Sequence, residues 1–376
     1  MLIAGHVAMA AVGILLVLEV MSSAIRAMLL PRGVPVRVVQ AVTLVLQVVF
    51  HLRAGTSPTY EKRDRIMATF GPVALLSTLV TWMSMIFVGF MLLYVALLGL
   101  PFVGAAELSG SSIFTLGTTA YHHLGGELLT YAEAGLGLLL LTLLITYMPS
   151  IYTAFSRREN GVALLRTRAG NPPRAVTMLI RYSRIAEGDR LSNVWEDVWR
   201  AWESWFTDIE ETHSSFSILA FFRSPQPEES WVTAAGTVLD AASLWVSSIA
   251  HPRDPDAQLC IRAGFITLRR LASLYDLPFD SDPSPGDPIT ITRQEWEEAV
   301  EEMSDAGIPV RADRDAAWES FKGWRVNYDS VLLNLARMLE APPTPWVSDR
   351  SPVGDHLTWT LKDAIHPTRN QKRKVD

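Results

Sequence analysis

Two apolar runs, residues 72–100 and 128–151, are each long enough to cross a bilayer, and between them residues 111–126 read SSIFTLGTTAYHHLGG. Lipid offers no hydrogen bonds to peptide N–H and C=O groups. An irregular, Gly- and Thr-rich segment at membrane depth therefore survives only against water or buried in protein. The stretch reads as a re-entrant pore loop.

Charge is distributed unevenly around it. The chain has 376 residues, 49% of them hydrophobic, with a net charge of −6, and almost all its acids and bases follow Arg157. That asymmetry implies an N-terminal membrane half and a soluble C-terminal half, each of ordinary domain size. Bases are interspersed with acids, which argues against a nucleic-acid partner. The single cysteine, Cys260, excludes an intramolecular disulfide, fits a reducing cytosol and reads as a small buried hydrophobe.

Residues 2–30 lack the basic start and short apolar centre of a cleaved signal and read as a membrane anchor. Their first bases, Arg26, Arg32 and Arg37, come at the C-terminal end, so the positive-inside bias puts the N-terminus outside. Glu19 within this anchor either serves function or pairs with Arg26 or a neighbouring helix. Residues 36–52, with Gln40, Thr43, Gln47 and His51 near one face, are short for a span and read as a helix along the cytoplasmic interface. Basic residues 53–65 are cytosolic, and residues 66–100 form a span that bends in at Gly71-Pro72.

From Pro101 to Thr130 there is no Lys or Arg, while Glu107 and Glu127 are present. This loop reads as external, its acids favouring cations at a pore mouth. Residues 108–117 predict a short helix with Ser109 as N-cap, pointing its partially negative C-terminal end into the membrane. Residues 128–155 form the last span. Gly135 and Gly137 permit close approach or bending there, Pro149 a hinge, and Arg157 and Arg158 stop transfer.

The order of helix, external pore helix, Thr-rich segment and inner helix over residues 72–158 resembles the two-helix pore module of potassium channels. Their filter reads T-V-G-Y-G-D, which falls here on Thr118, Thr119, Ala120, Tyr121, His122 and His123. Thr118, Tyr121 and the preceding Thr115-Leu116 agree; both glycines and the aspartate differ. The resemblance implies that Thr118, Thr119, Ala120, Tyr121 and His122 form the constriction, and that four subunits enclose one path. Family filters turn successive carbonyls inward through positive φ at the glycines, and a Cβ there costs about 1–2 kcal/mol. Ala120 and His122 thus bear on potassium selectivity rather than on architecture.

The whole chain is also similar to bacterial potassium-channel-domain proteins that join an anchor, an interfacial segment, one pore module and a helical cytosolic region. Phe114-Thr115-Leu116-Gly117 stands where their filter begins, and residues 212–216 where a His-containing aromatic helix follows. His122 and His123 admit three readings: protonation that repels cations below about pH 6.5, ligands of a blocking divalent metal, or solvated groups at the outer mouth.

The C-terminal half predicts amphipathic helices over residues 194–206, 231–249, 257–275, 293–305 and 313–339, broken by Pro-rich turns at 225–227, 252–255 and 280–288. Trp195, Trp199, Trp202, Trp205 and Phe206 fall at spacings of three and four, the pattern of a core stripe. Neither a strand followed by G-x-G-x-x-G nor zinc-ligand spacing is present, and His213-Ser214-Ser215 implies no catalytic set. Glu298, Glu301 and Glu302 read as a solvated face.

The expectation is an all-α membrane protein with three transmembrane helices, a re-entrant pore helix/loop and a helical cytosolic C-terminal domain. Its parts are an anchor with interfacial helix (1–65), a pore module (66–158), a cytosolic domain (159–341) and a tail (342–376) able to touch anionic lipid. The expected function is a homotetrameric channel for monovalent cations, K+ or Na+, in the plasma membrane. Expected roles are Thr118 to His122 at the constriction, Glu107, His123 and Glu127 at the mouth, and Gly135, Gly137 and Pro149 as gating hinge. A non-conducting membrane sensor or scaffold is the alternative. Neither an enzyme activity, nor a cofactor, nor a resident metal is expected.

Overall fold

The computed structural model describes residues 2–29, 36–55, 59–119, 121, 123–185 and 191–350. Among them every named element is a helix, and the one β-type pairing is a bridge between Ile249 and Val310. Four helical stretches are long and apolar enough to cross a membrane: Ile3–Met28, Arg37–Gly55, Tyr60–Leu98 and Leu124–Ala169. These are the dimensions of a multi-pass membrane protein. The sequence predicts three spans and reads the second of these helices as interfacial.

The chain divides into two compact units, Met1–Arg157 with Thr212–Arg223, and Arg158–Glu211 with Ser224 onward. One boundary between the units falls at Arg157–Arg158. The return of 212–223 to the first unit is not foreseen by composition.

In the first unit, α1 (Leu2–Ala24) runs antiparallel to α4 (Phe70–Leu98). Their backbones meet at glycines: a Cβ on Gly13 would lie 2.6 Å from Gly89 O. Small residues at such crossings let two apolar helices approach where lipid provides no hydrophobic drive. Ten residues along, the Trp82 indole N–H donates to Ser23 Oγ at 2.9 Å. Around this seam Val20, Ile86, Phe90 and Leu93 join Leu108 and Leu140 in one buried cluster. The helix α2 (Arg37–Gly55) lies against α4, with Phe50 edge-on to Phe70 at 5.3 Å. A two-residue turn separates α4 from the short α3 (Tyr60–Met67).

The helix α5 (Phe102–Ile113) begins six residues before its predicted start, after Pro101 rather than at Ser109. Pro101 fixes an extended entry, and the chain from Phe102 is apolar enough to continue α4's packing, so Ser109 becomes an interior residue instead of a cap. The long α6 (Leu124–Ala169) follows and carries Pro149 inside it. Residues 212–223 form a wedge built on a 3₁₀ turn, Ser217–Phe221. Leu219 is buried with Leu75, Leu144, Ile151 and Ala154. Phe216 meets Tyr147 edge-on at 5.1 Å, and Arg223 pairs with Asp64 of α3 at 2.7 Å.

The second unit is built around α9 (Trp231–Ser248), every residue of which is buried. A helix apolar on all sides must be enclosed, and α7 (Ala175–Ile185), α10 (Pro255–Leu274), α12 (Arg314–Arg325) and α13 (Asp329–Met338) pack on it. On α8 (Leu191–Ser215) the predicted tryptophan stripe is core: Trp195, Trp199, Trp202 and Trp205 are buried, and Trp195 lies 4.4 Å from Trp245. The helix α11 (Arg293–Asp305) has the predicted bounds, begun by a capping box between Thr292 and Glu295. Glu298 and Glu301 are exposed on it, and Glu302 pairs with Arg174 at 2.7 Å. Cys260 is buried, and burial pushes its thiol well above the usual range.

The single helix predicted over 313–339 is two. It breaks after Arg325, which turns inward to Asp240 and Asp329, while Asn327 Nδ2 donates back to Gly323 O. Residues 342–350, assigned above to the tail, pack on this unit: Thr344 and Val347 are buried, and Arg350 bonds Thr290 O and Glu295. The predicted tail beyond 350 lies outside the described residues.

Candidate functional site

The loop after α5 is set by how that helix ends. Leu116 N donates to Ser111 O at 2.8 Å and Thr115 N to Ser112 O at 3.0 Å, the paired bonds of a Schellman C-cap. Such a cap requires a left-handed residue, usually Gly; here Thr115 takes it at φ 53°. A β-branched residue in that conformation is strained by about 1–2 kcal/mol. Gly117 is also left-handed, at φ 67°. Positive φ thus occurs just ahead of the predicted constriction; Ala120 and His122, where it is argued above, lie outside the described residues.

Ser111 then ties the far end of the loop to the helix. Its Oγ accepts from Thr119 N at 3.1 Å. Phe114 to Thr119 are exposed, and Gly117 and Thr118 donate no backbone hydrogen bond to another described residue. Tyr121 is half-buried with its ring across Gly126, where a Cβ would come within 2.1 Å, and 6.0 Å from the exposed His123.

Two contacts fix α5 on α6. Ser109 Oγ lies 2.5 Å from Glu133 Oε1, and one turn on in both helices a Cβ at Gly137 would lie 2.6 Å from Ile113 O. Positions 109 and 113 therefore face 133 and 137 in the same order, and the two helices run side by side in one direction. Glu133 Oε2 in turn accepts from the Tyr94 hydroxyl at 2.7 Å, joining α4 to the pair.

Of the residues predicted for the site, the structure brings together Thr119 with the helix that precedes it, and Tyr121 with His123 and Gly126. Glu107 is exposed on α5 and Glu127 half-buried in the first turn of α6, and no contact joins the two. Gly137 is a close-approach residue. Gly135 has no neighbour within 4 Å of a Cβ, and Pro149 sits in mid-helix with Thr153 Oγ1 donating to its carbonyl at 2.8 Å. Glu133, fully buried, is the residue that the sequence reading passes over. Its signal is plain: it is the one charged residue between 128 and 151, and an acid inside a span is costly.

Compared with family models, with curated proteins and with solved structures, the chain matches none.

Proposed function

We propose that the chain is one subunit of a membrane ion channel with a potassium-channel-like pore, passing monovalent cations along a path lined by residues 118–122. The observation that carries the reading is the parallel run of α5 beside α6. The end of α5, at Ile113, sits level with Gly137, thirteen residues into α6, or about 20 Å from its start at 1.5 Å per residue. The chain then has ten residues, 114–123, in which to return to Leu124. A helix that descends beside a span, followed by a strap that returns, is the shape of a re-entrant loop. Its exposed face would meet water or other subunits rather than lipid.

Three spans with α2 at the interface complete the proposed topology. Ser23 meets Trp82 twelve residues into α4, about 18 Å from Phe70, and the helical stretch that starts with α1 runs five residues further, to Met28. Val38 and Val39, at the start of α2, pack on the same cluster as Met28, while Phe50 near its end meets Phe70. The polar positions of α2, Gln40, Thr43, Gln47 and His51, suit a helix lying along the interface. With three crossings and the positive-inside bias, the N-terminus lies outside and the second unit in the cytoplasm.

One loop per chain does not close a path, so cyclic assembly of four copies completes the reading. The experiment is ion flux from proteoliposomes holding the purified full chain, with K+ and Na+ gradients compared. Flux of either ion that requires the tetramer supports a channel. Tetramers with no flux of either ion favour the second reading, a non-conducting sensor or scaffold, to which the strained Thr115 and the non-glycine residues at 120 and 122 point.

A further inference from the structure

Glu133 has no role in the reading just given, yet it is placed where the pore loop is held. It projects from α6 with no exposed surface. Among the described residues no Lys, Arg or His pairs with it; the acids nearest in chain, Glu107 on α5 and Glu127 on α6, are at least partly exposed. Both its oxygens are used, Oε2 by the Tyr94 hydroxyl at 2.7 Å and Oε1 by Ser109 Oγ at 2.5 Å. Ser109 Oγ also lies 3.0 Å from Phe87 O on α4, so one hydroxyl links three helices.

We propose that Glu133 is a positioning residue for the pore loop: by holding Ser109 it fixes the rotation and depth of α5, and through Ser111 the place of Thr119. The inference rests on the pore-loop reading of residues 111–126. Apolar contacts alone let a short helix slide or turn about its axis, because lipid-depth packing is nearly indifferent to small shifts. A buried hydrogen bond is directional, and leaving either partner unpaired is costly, so it selects one register. Gly137 completes the register by letting Ile113 O approach to a distance any side chain would prevent. Ser109 and Ser111 are two residues apart on α5 and point to different sides, one to Glu133 and the other to Thr119. Rotation of α5 that breaks the first contact thus displaces the second.

The test reads loop position without requiring conduction. In a Leu116→Cys chain, the new thiol is on an exposed loop residue and Cys260 is buried. Its labelling by a membrane-impermeant maleimide is followed in proteoliposomes, alongside flux and melting temperature. Glu133→Ala and Ser109→Ala are expected to change the labelling rate by about tenfold, the scale of losing a buried hydrogen bond. Glu133→Gln, whose amide can accept from Tyr94 and donate to Ser109, should stay within about twofold, as should Tyr94→Phe, which frees no part of α5. Equal labelling in Glu133→Ala and its parent would overturn the proposal. So would Glu133→Gln behaving like Glu133→Ala, since Gln keeps the shape and both hydrogen bonds and neither would then hold α5. If this labelling pattern holds while the parent passes no ion, the positioning role stands and the channel reading fails.

Discussion

Ser111 Oγ accepts the Thr119 N–H at 3.1 Å, eight positions further along the chain, closing the loop on the helix from which it starts. That bond ties the strap beyond the C-cap bonds of Thr115 and Leu116. Ser111→Ala should leave the helices in place and loosen the strap. Loss of one such hydrogen bond, about 1 kcal/mol, corresponds to an opening equilibrium raised about fivefold. Hydrogen exchange of the peptide containing Thr119, measured on the full chain in detergent, checks it; unchanged exchange would mean that other contacts hold the loop.

Thr115 occupies a left-handed C-cap position at φ 53°. Thr115→Gly relieves the Cβ strain there but also loosens the unfolded chain, so the net gain is expected to be small, about 1 kcal/mol. A rise of a few degrees in melting temperature is the expected result. A fall would show that the threonine side chain makes a contact worth more than the strain.

In the second unit Arg325 is buried between Asp240 and Asp329, at 2.8 Å from the latter, and donates to Trp346 O at 2.7 Å. Burial alone would lower the guanidinium, but the two carboxylates raise it above its ordinary range, so it stays charged. Burial pushes the Asp240 carboxyl up, with Arg325 opposing. Arg325→Met leaves two buried carboxylates without their cation and should cost about 3–5 kcal/mol. It should also release residues 342–350 to limited proteolysis, because Trp346 loses its anchor. A variant as stable as the parent would contradict this account.

Partial burial would raise the Glu295 carboxyl, but hydrogen bonds from Arg350 and Thr292 hold it below the usual carboxylate range. The unfolded chain then binds more protons than the folded one. The resulting stability is present above the ordinary Glu value of about 4.3 and is lost as pH falls through the lower folded value. Because the side chain is 34% exposed, solvent screening keeps the effect small, under about 1 kcal/mol. Glu295→Gln should melt slightly below the parent at pH 7, with the gap narrowing below about pH 4. A gap that widens on acidification would reverse the sign and refute the assignment.

What the sequence determined by itself was whatever depends on local pattern. Long apolar runs made helices of α1, α4 and α6; the Thr292-Glu295 spacing made α11 start where it does; the three-and-four spacing of Trp195 to Trp205 made a buried stripe. Only the tertiary structure decided the rest, because it depends on partners far apart in the chain. Ser109 looked like a cap and is instead a donor or acceptor facing Glu133, 24 residues on. The helix predicted through 313–339 broke because Arg325 found Asp240, 85 residues away. Residues 212–223 read as part of the soluble half, yet Leu219 is buried and Phe216 half-buried against α4 and α6. Periodicity reports which face of a helix is apolar; it carries no information on which neighbour covers that face, and a buried polar group is placed by the neighbour.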